Sequence, residues 1–150
     1  MLNIDEEKDK FVFNMKLDIR WSDMNHMHHV NNAVYLTFFE QGRIYYLLKA
    51  FRWNWKEKGI ILSSAHIEYL RPILFPDPAR IFVRTSKISS NTFTIDYMIT
   101  SIVQDKEEIN TTGCTTMALF DYKTSSTMPI SEEFLEQIKT YERGSSQVLI

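Results

Sequence analysis

The stretch NNAVYLTFFEQGRIYYLLKA, residues 31–50, decides the fold of this 150-residue chain. Apolar side chains cover nearly all of its circumference, and only Thr37, Glu40 and Gln41 form a narrow polar stripe. A helix that is apolar almost all round is typical of a protein core. At 1.5 Å rise per residue, about 20 residues span about 30 Å, the width of a small domain. The pattern therefore predicts one long buried helix over this stretch.

A membrane-spanning helix is the alternative interpretation of the same stretch. Its midpoint carries Glu40, Gln41 and Arg43, and charge at the centre of a bilayer is expensive. The sequence therefore favours a core helix, and we predict no membrane association.

The remainder of the chain reads mainly as strands. Residues 11–19, FVFNMKLDI, alternate apolar and polar side chains, as in a half-buried strand that ends near Trp21. Gly59 suits a turn after the helix, and Ser131 suits the N-cap of a short terminal helix before a frayed tail from residue 143. Four further strands are predicted at residues 60–71, 79–89, 92–104 and 109–122, joined by a segment with Pro72, Pro76 and Pro78 and by turns at 89–91 and near 105–108.

A run of antiparallel strands after one long helix predicts an α+β fold in which the sheet wraps around the helix. The length, with 44% hydrophobic and 24% charged residues, fits one soluble globular domain over residues 1–150.

Charge and cysteine content exclude several classes of function. The net charge of −2 provides no field that would attract nucleic acid or anionic lipid. The single cysteine, Cys114, excludes an intrachain disulfide framework and fits a reducing compartment. The charged N-terminus, MLNIDEEKDK, lacks the apolar region of a signal peptide, so we expect a cytoplasmic protein.

The junction between the first strand and the helix, DMNHMHHVNN at residues 23–32, concentrates imidazoles and amides. Either Asn31 or Asn32 suits the start of the helix. The backbone N–H groups there lack intrahelical partners and the helix dipole is positive, so a carbonyl oxygen that gains negative charge is stabilised at this end. The loop is therefore a candidate oxyanion site.

Three other interpretations of the loop remain open. The asparagines can serve only as helix caps. His26, His28 and His29, with Asp23 nearby, can bind a metal, although their spacing fits no standard zinc pattern. The histidines can also be solvent-exposed loop residues, which is the expectation for His26.

Residues 19–47, IRWSDMNHMHHVNNAVYLTFFEQGRIYYL, closely resemble the signature of the hot-dog-fold acyl thioesterases of the 4-hydroxybenzoyl-CoA thioesterase type. That pattern is roughly aromatic, x, Asp, x, Asp, x, x, Gly, His, Val, Asn, Asn, x, x, Tyr, Leu, then Phe-Glu-x-(Ala/Gly)-Arg. The later segment IEYLRPILFPD, residues 67–77, is similar to the family's second strand and its Pro-bearing connection. The matching positions are Asp23, His29, Val30, Asn31, Asn32, Tyr35, Leu36, Phe39, Glu40, Gly42 and Arg43.

Two departures from the pattern fall in the loop. The family's catalytic carboxylate, the second Asp of its Asp-x-Asp pair, is Asn25 here, and a carboxamide orients groups but has no useful basicity. The family's glycine is His28, a residue that tolerates positive φ better than most but adds bulk. Asp23 points away if the loop is extended, so His29 or His28, ahead of Glu40, is the expected replacement base.

The resemblance implies an acyl-CoA or acyl-ACP thioester hydrolase of the hot-dog fold. Asn25 and His29 are the expected catalytic residues, and His28, Val30, Asn31 and Asn32 are expected to bind the substrate. No metal or resident cofactor is expected, because CoA or acyl carrier protein enters as part of the substrate. The alternative is a hot-dog protein that binds acyl thioesters without hydrolysing them.

The resemblance also implies an obligate dimer in which the sheets of two subunits join edge to edge. We therefore expect a homodimer or homotetramer. Arg71, Arg80 and Arg84 are candidate contacts for the CoA phosphates, with solvated strand-edge charges as the alternative.

Overall fold

The computed structural model describes residues 2–144. The predicted frayed tail lies outside the described residues except for Arg143 and Gly144, which belong to a short 3₁₀ turn. The helices and strands, in chain order, are α1 (Ile4–Lys8), β1 (Phe13–Leu17), α2 (Val34–Ala50), β2 (Lys58–Tyr69), β3 (Ala79–Ile88), β4 (Thr92–Val103), β5 (Lys106–Asp121), β6 (Ser126–Met128) and α3 (Glu132–Tyr141).

The strands form one antiparallel sheet with the order β1-β3-β4-β5-β2, and β6 pairs with the end of β5. The long helix α2 packs on this sheet, so the predicted α+β architecture is confirmed. None of the helices within residues 2–144 is long and apolar enough to cross a bilayer.

Gly42 and one pair of stacked aromatic rings let α2 approach the sheet closely. A Cβ on Gly42 would lie 2.9 Å from Cδ1 of Ile81, so any larger residue would force this β3 side chain to move. The ring of Phe39 stacks on that of Tyr97 with centroids 4.1 Å apart. The buried Arg43 guanidinium donates to the Tyr97 hydroxyl at 3.1 Å. The Phe-Glu-x-Gly-Arg segment of the signature therefore attaches the helix to the sheet.

The helix differs from the prediction in its start and in its exposure. It begins at Val34, three residues after Asn31, and its N-cap is Ala33. One face is buried in the core, whereas Tyr45 remains 58% exposed and Leu48 is also exposed. The prediction of a helix buried all round was wrong because hydrophobic side chains alone do not show which face the sheet covers.

Several element boundaries also differ from the prediction. Strand β1 ends at Leu17, and Trp21 already lies in a 3₁₀ turn. Gly59 lies within β2, where Tyr122 occupies the space that a Cβ would need. The hairpin between β4 and β5 turns at Gln104 and Asp105, which both have positive φ, so β5 begins at Lys106. The short elements α1 and β6 were not predicted.

The 3₁₀ turn that follows the terminal helix α3 contacts β3 beyond the end of its pairing with β1. Strand β1 pairs with β3 as far as Val83, and Glu142 at the start of this turn binds the β3 backbone two residues further on. Its Oε2 atom accepts a hydrogen bond from the Thr85 backbone N–H at 2.8 Å. The predicted N-cap of α3 is confirmed, because Ser131 Oγ accepts from the Phe134 N–H at 3.1 Å.

Candidate functional site

The loop that joins β1 to α2 is closed at its base by Asp23. The buried carboxylate of Asp23 accepts hydrogen bonds at 2.8 Å from the Arg20 backbone N–H and from the Arg20 guanidinium. The carbonyl of Asp23 accepts from the Asn31 N–H at 2.8 Å. The side-chain carboxylate of Asp23 therefore binds the start of the loop, and its backbone carbonyl binds the end. The role of this carboxylate is structural.

Asn25 organises the interior of the loop through its side-chain oxygen. Its Oδ1 atom accepts hydrogen bonds from the backbone N–H groups of Met27 at 2.9 Å and His29 at 3.2 Å. Its own N–H donates to the His29 carbonyl at 2.7 Å. Among residues 2–144, no acceptor is bonded to Asn25 Nδ2. The carboxamide therefore retains an N–H donor for a ligand.

His28 occupies the glycine position of the family pattern and has a φ of 62°. This left-handed conformation explains why glycine suits the position and shows that histidine adopts it here. The imidazole is exposed and its centroid lies 6.3 Å from that of Trp21, so it points toward Trp21.

His29 and Val30 attach the loop to the Pro-bearing connection. His29 is half-buried and forms an isolated β-bridge with Leu74. The buried Val30 donates its N–H to the Ile73 carbonyl at 2.9 Å. This second point of attachment fixes the backbone at His29 and Val30.

The start of α2 is arranged by two successive asparagines, although neither is the formal N-cap. Asn31 Oδ1 accepts from the Ala33 N–H at 3.2 Å, which forms an Asx turn just before the helix. The Asn32 carbonyl accepts from the Tyr69 hydroxyl at 3.1 Å. The Asn32 N–H donates to no residue in the described part of the chain, so the pre-helix backbone offers a second free donor.

These groups surround a pocket of about 310 Å³. It is lined by Asn25, Met27, His29, Val30, Asn32, Tyr35, Tyr69, Leu70, Arg71 and Pro72. The structure thus brings four of the six predicted site residues together, namely Asn25, His29, Val30 and Asn32. His28 and Asn31 lie outside the lining, and their predicted substrate contacts stay predictions.

Aromatic residues form the wall of the pocket opposite the loop. The rings of Tyr35 and Tyr69 meet edge to face with centroids 5.0 Å apart. Burial raises the pKa of Tyr35, so its hydroxyl is neutral at physiological pH. Arg71 forms an ion pair with Glu108, which holds its guanidinium beside the pocket.

Within residues 2–144, no group of three or more His, Cys, Asp or Glu side chains has an arrangement that could hold a metal ion. The free thiol of Cys114 lies on β5, and burial, with Asp96 nearby, raises its pKa. A raised pKa disfavours the nucleophilic thiolate.

Comparison with known proteins assigns this architecture to a family. Residues 19–138 match the model of the thioesterase-like superfamily. The chain belongs to the thioesterase-like superfamily. Among curated proteins, the uncharacterized protein YsmA of Bacillus subtilis (strain 168) is 31% identical over 94 residues, which cover 62% of this chain and 64% of that protein.

Solved structures support the same fold. A thioesterase from Thermus thermophilus, complexed with coenzyme A and Zn, is 25% identical with a TM-score of 0.79, covering 90% of this chain and 98% of that one. A thioesterase-superfamily protein from Jannaschia sp. CCS1 is 21% identical with a TM-score of 0.81, covering 91% and 86%. A Staphylococcus aureus protein in complex with CoA is 14% identical with a TM-score of 0.78, covering 92% and 88%. This thioesterase-like chain therefore has the hot-dog fold.

The sequence did not reveal the contribution of Tyr69, Leu70 and Pro72 to the thioesterase-like site. These residues lie about forty positions after the loop, and local sequence contains no signal for a contact over that separation. Tyr69 ends β2, and only the packing of the sheet against α2 brings its hydroxyl to the Asn32 carbonyl.

Proposed function

We propose that the protein hydrolyses acyl thioesters of coenzyme A, or of acyl carrier protein, in the pocket at the start of α2. The observation that best supports this proposal is the arrangement of Asn25. Its Oδ1 atom accepts hydrogen bonds from two backbone N–H groups, whereas its Nδ2 and the backbone N–H of Asn32 have no acceptor among residues 2–144. Both residues line one pocket with His29. Family membership and the CoA bound to two structural neighbours support the choice of substrate.

The two free donors serve the carbonyl oxygen of the thioester. As water attacks the carbonyl carbon, negative charge develops on that oxygen, and preorganised N–H donors stabilise it. One such donor is typically worth about 10²–10³ in rate. The positive end of the α2 dipole acts in the same direction.

His29 is the proton-transfer group of this mechanism. Its imidazole takes a proton from the attacking water, and the C–O bond forms at the carbonyl carbon. When the C–S bond breaks, the imidazole returns the proton to the leaving sulfur. The products are a carboxylic acid and the free thiol, and no redox partner or resident cofactor is needed.

A second candidate is an acyl-thioester-binding protein without hydrolytic activity. It is favoured by one specific observation, the carboxamide at position 25 where the family pattern has a carboxylate. General-base assistance is typically worth about 10²–10⁴ in rate, so the substitution can remove most turnover unless a histidine compensates.

The two candidates are separated by an acyl-CoA panel measured on the wild type and on Asn25→Asp, with calorimetric binding as the control. If the protein is a hydrolase, the wild type should release thiol from at least one acyl-CoA. Saturable binding without thiol release in the wild type, together with turnover in Asn25→Asp, would establish the binding protein instead.

We also propose that residues 1–150 act as one domain that assembles through the free edge of β2. Within residues 2–144, β2 pairs with β5 and with no other strand, and Ile61 and Leu62 on it are exposed. A long exposed edge with apolar side chains is a liability that pairing with a second copy removes. The single cysteine and a CoA substrate support a cytoplasmic location.

A further inference from the structure

An exposed aromatic cluster lies beside the proposed thioester pocket. It consists of Trp21, His28 and Phe75, which we call the Trp21 platform. Trp21 is 67% exposed and Phe75 is 42% exposed. Tryptophan is highly buried on average in folded proteins, so an exposed indole next to an active-site loop calls for a ligand or a partner.

Ring contacts fix the orientation of the Trp21 indole. The Phe75 ring meets it edge to face, with centroids 5.7 Å apart and an interplanar angle of 80°. The His28 ring lies 6.3 Å away at an angle of 43°. Two rings therefore brace the indole while most of its surface stays accessible, which is the condition for stacking a flat ligand.

His28 is an unusual member of this cluster. It stands where the family pattern has glycine, and it holds a φ of 62° that side-chain-bearing residues seldom adopt. The imidazole that this conformation directs toward Trp21 enlarges the aromatic surface. The departure from glycine thus has a consequence outside the pocket, since His28 does not line it.

The platform immediately precedes the proposed site in the chain. Trp21 begins a 3₁₀ turn over residues 21–23, and the Met24 N–H donates to the Trp21 carbonyl at 3.2 Å, so the Cα atoms of Trp21 and Asn25 lie closer than the roughly 14 Å of an extended chain. A phosphopantetheine arm is long enough to span such a separation between its thioester and its nucleotide. Arg20, next to Trp21, supplies a cation there: its exposed guanidinium bonds to Asp23 through Nε and NH2.

We propose that the Trp21 platform binds the adenine base of coenzyme A, and that the protein therefore selects coenzyme A esters over thioesters of acyl carrier protein. This inference rests on the proposed function, because it names the carrier whose thioester enters the pocket. Acyl carrier protein presents the same arm without a purine, so stacking on Trp21 would discriminate between them.

The test compares binding of coenzyme A and of pantetheine, which lacks the nucleotide, by titration calorimetry. The variants are Trp21→Ala, His28→Gly and the control Trp55→Ala, which removes an exposed indole from the segment before β2. We expect Trp21→Ala to weaken coenzyme A binding about tenfold, as loss of one base–aromatic stack does. Pantetheine binding should not change, and Trp55→Ala should match the wild type for both ligands.

Hydrolysis of acyl-CoA and acyl-pantetheine by the same proteins separates this inference from the proposed function. If the wild type hydrolyses both thioesters with equal kcat/KM and Trp21→Ala changes neither, the proposed function stands and the platform assignment falls. If Trp21→Ala instead turns a dimer into a monomer in sedimentation, a second copy covers the platform and the assignment also falls. A selective loss for acyl-CoA with an unchanged oligomeric state would support it.

Discussion

The backbone N–H of His29 donates to the Asn25 side-chain oxygen at 3.2 Å, and the Asn25 N–H donates to the His29 carbonyl at 2.7 Å. The two proposed catalytic residues are thus joined through the backbone of His29, while its imidazole takes no part in this pairing. Removal of the imidazole should therefore leave the loop intact.

We predict that His29→Ala lowers kcat for acyl-CoA hydrolysis by on the order of 10²-fold, the lower end of the contribution of a general base. His26→Ala is the matched control, because His26 is exposed and lies outside the pocket lining. Thiol release at saturating substrate measures the effect. Equal activity of the two folded variants would remove His29 from the mechanism.

Tyr69→Phe should reduce kcat/KM as well as stability. The Tyr69 hydroxyl donates to the Asn32 carbonyl at 3.1 Å and so fixes the peptide at the start of α2. One exposed hydrogen bond contributes about 1 kcal/mol to the free energy of unfolding. We expect a loss of about fivefold or more in kcat/KM, because small displacements of a donor weaken oxyanion stabilisation.

The control for Tyr69→Phe is Tyr45→Phe, since Tyr45 lies on the exposed face of α2 away from the pocket. Urea unfolding and steady-state kinetics on both variants give the two quantities. A change in stability with unaltered kinetics would make Tyr69 a purely structural residue.

The buried Glu142 should make the protein less stable as the pH rises toward neutrality. Burial raises the pKa of Glu142 to about 7 from its ordinary value of 4.5. The groups facing it are the Tyr46 hydroxyl and Thr85 N–H, which donate to it, and the charged Arg84 and Asp96, with Tyr141 beside it. The folded state therefore holds a proton that the unfolded state releases above pH 4.5.

It follows that the contribution of Glu142 is fully present below pH 4.5 and is lost as the pH rises through 7, by about 3 kcal/mol in the free energy of unfolding. Glu142→Gln should remove this loss, and Glu136→Gln, an exposed site on α3, should retain it. Urea unfolding at pH 5 and pH 8 provides the comparison. If the free energy of unfolding changed equally with pH in the wild type and in Glu142→Gln, this prediction would be wrong.

A charge on the free edge of β2 should separate the subunits of the proposed dimer. Ile61→Lys places an ammonium group where two copies of β2 would meet. Ile102→Lys is the control, because Ile61 and Ile102 are 41% and 42% exposed but Ile102 lies near the far end of β4. Sedimentation should give a monomer for Ile61→Lys only, and an unchanged mass in both variants would place the interface elsewhere.

The sequence predicted the class of fold because its strongest signals are local. Alternation over Phe13–Leu17, the N-cap Ser131 and the prolines after β2 each act within a few residues. The signature segment also positioned Asn25 and His29 in one loop. Which face of α2 the sheet covers was not predictable, because Tyr45 and Leu48 are as apolar as the buried Tyr46 and Leu47.

The contacts that complete the site come from residues far apart in the chain. Tyr69 meets Asn32 across 37 positions, and Glu142 meets Thr85 across 57 positions. Neither partner has a pattern that identifies the other. The role of the Asn25 oxygen was also hidden, since the type of residue does not tell which backbone N–H groups it accepts from.

Thiol release from saturating acyl-CoA by the wild type and by Asn25→Asp tests the central claim most directly. The aspartate keeps an oxygen for the Met27 and His29 N–H groups, but it exchanges the Nδ2 donor for a base. Loss of the donor should lower the rate by about 10²–10³. Gain of a general base should raise it by about 10²–10⁴. Because the two effects largely offset each other, both proteins should hydrolyse acyl-CoA, with rates within about tenfold of each other. Thiol release by Asn25→Asp alone, with the wild type binding acyl-CoA and forming no product, would contradict the claim.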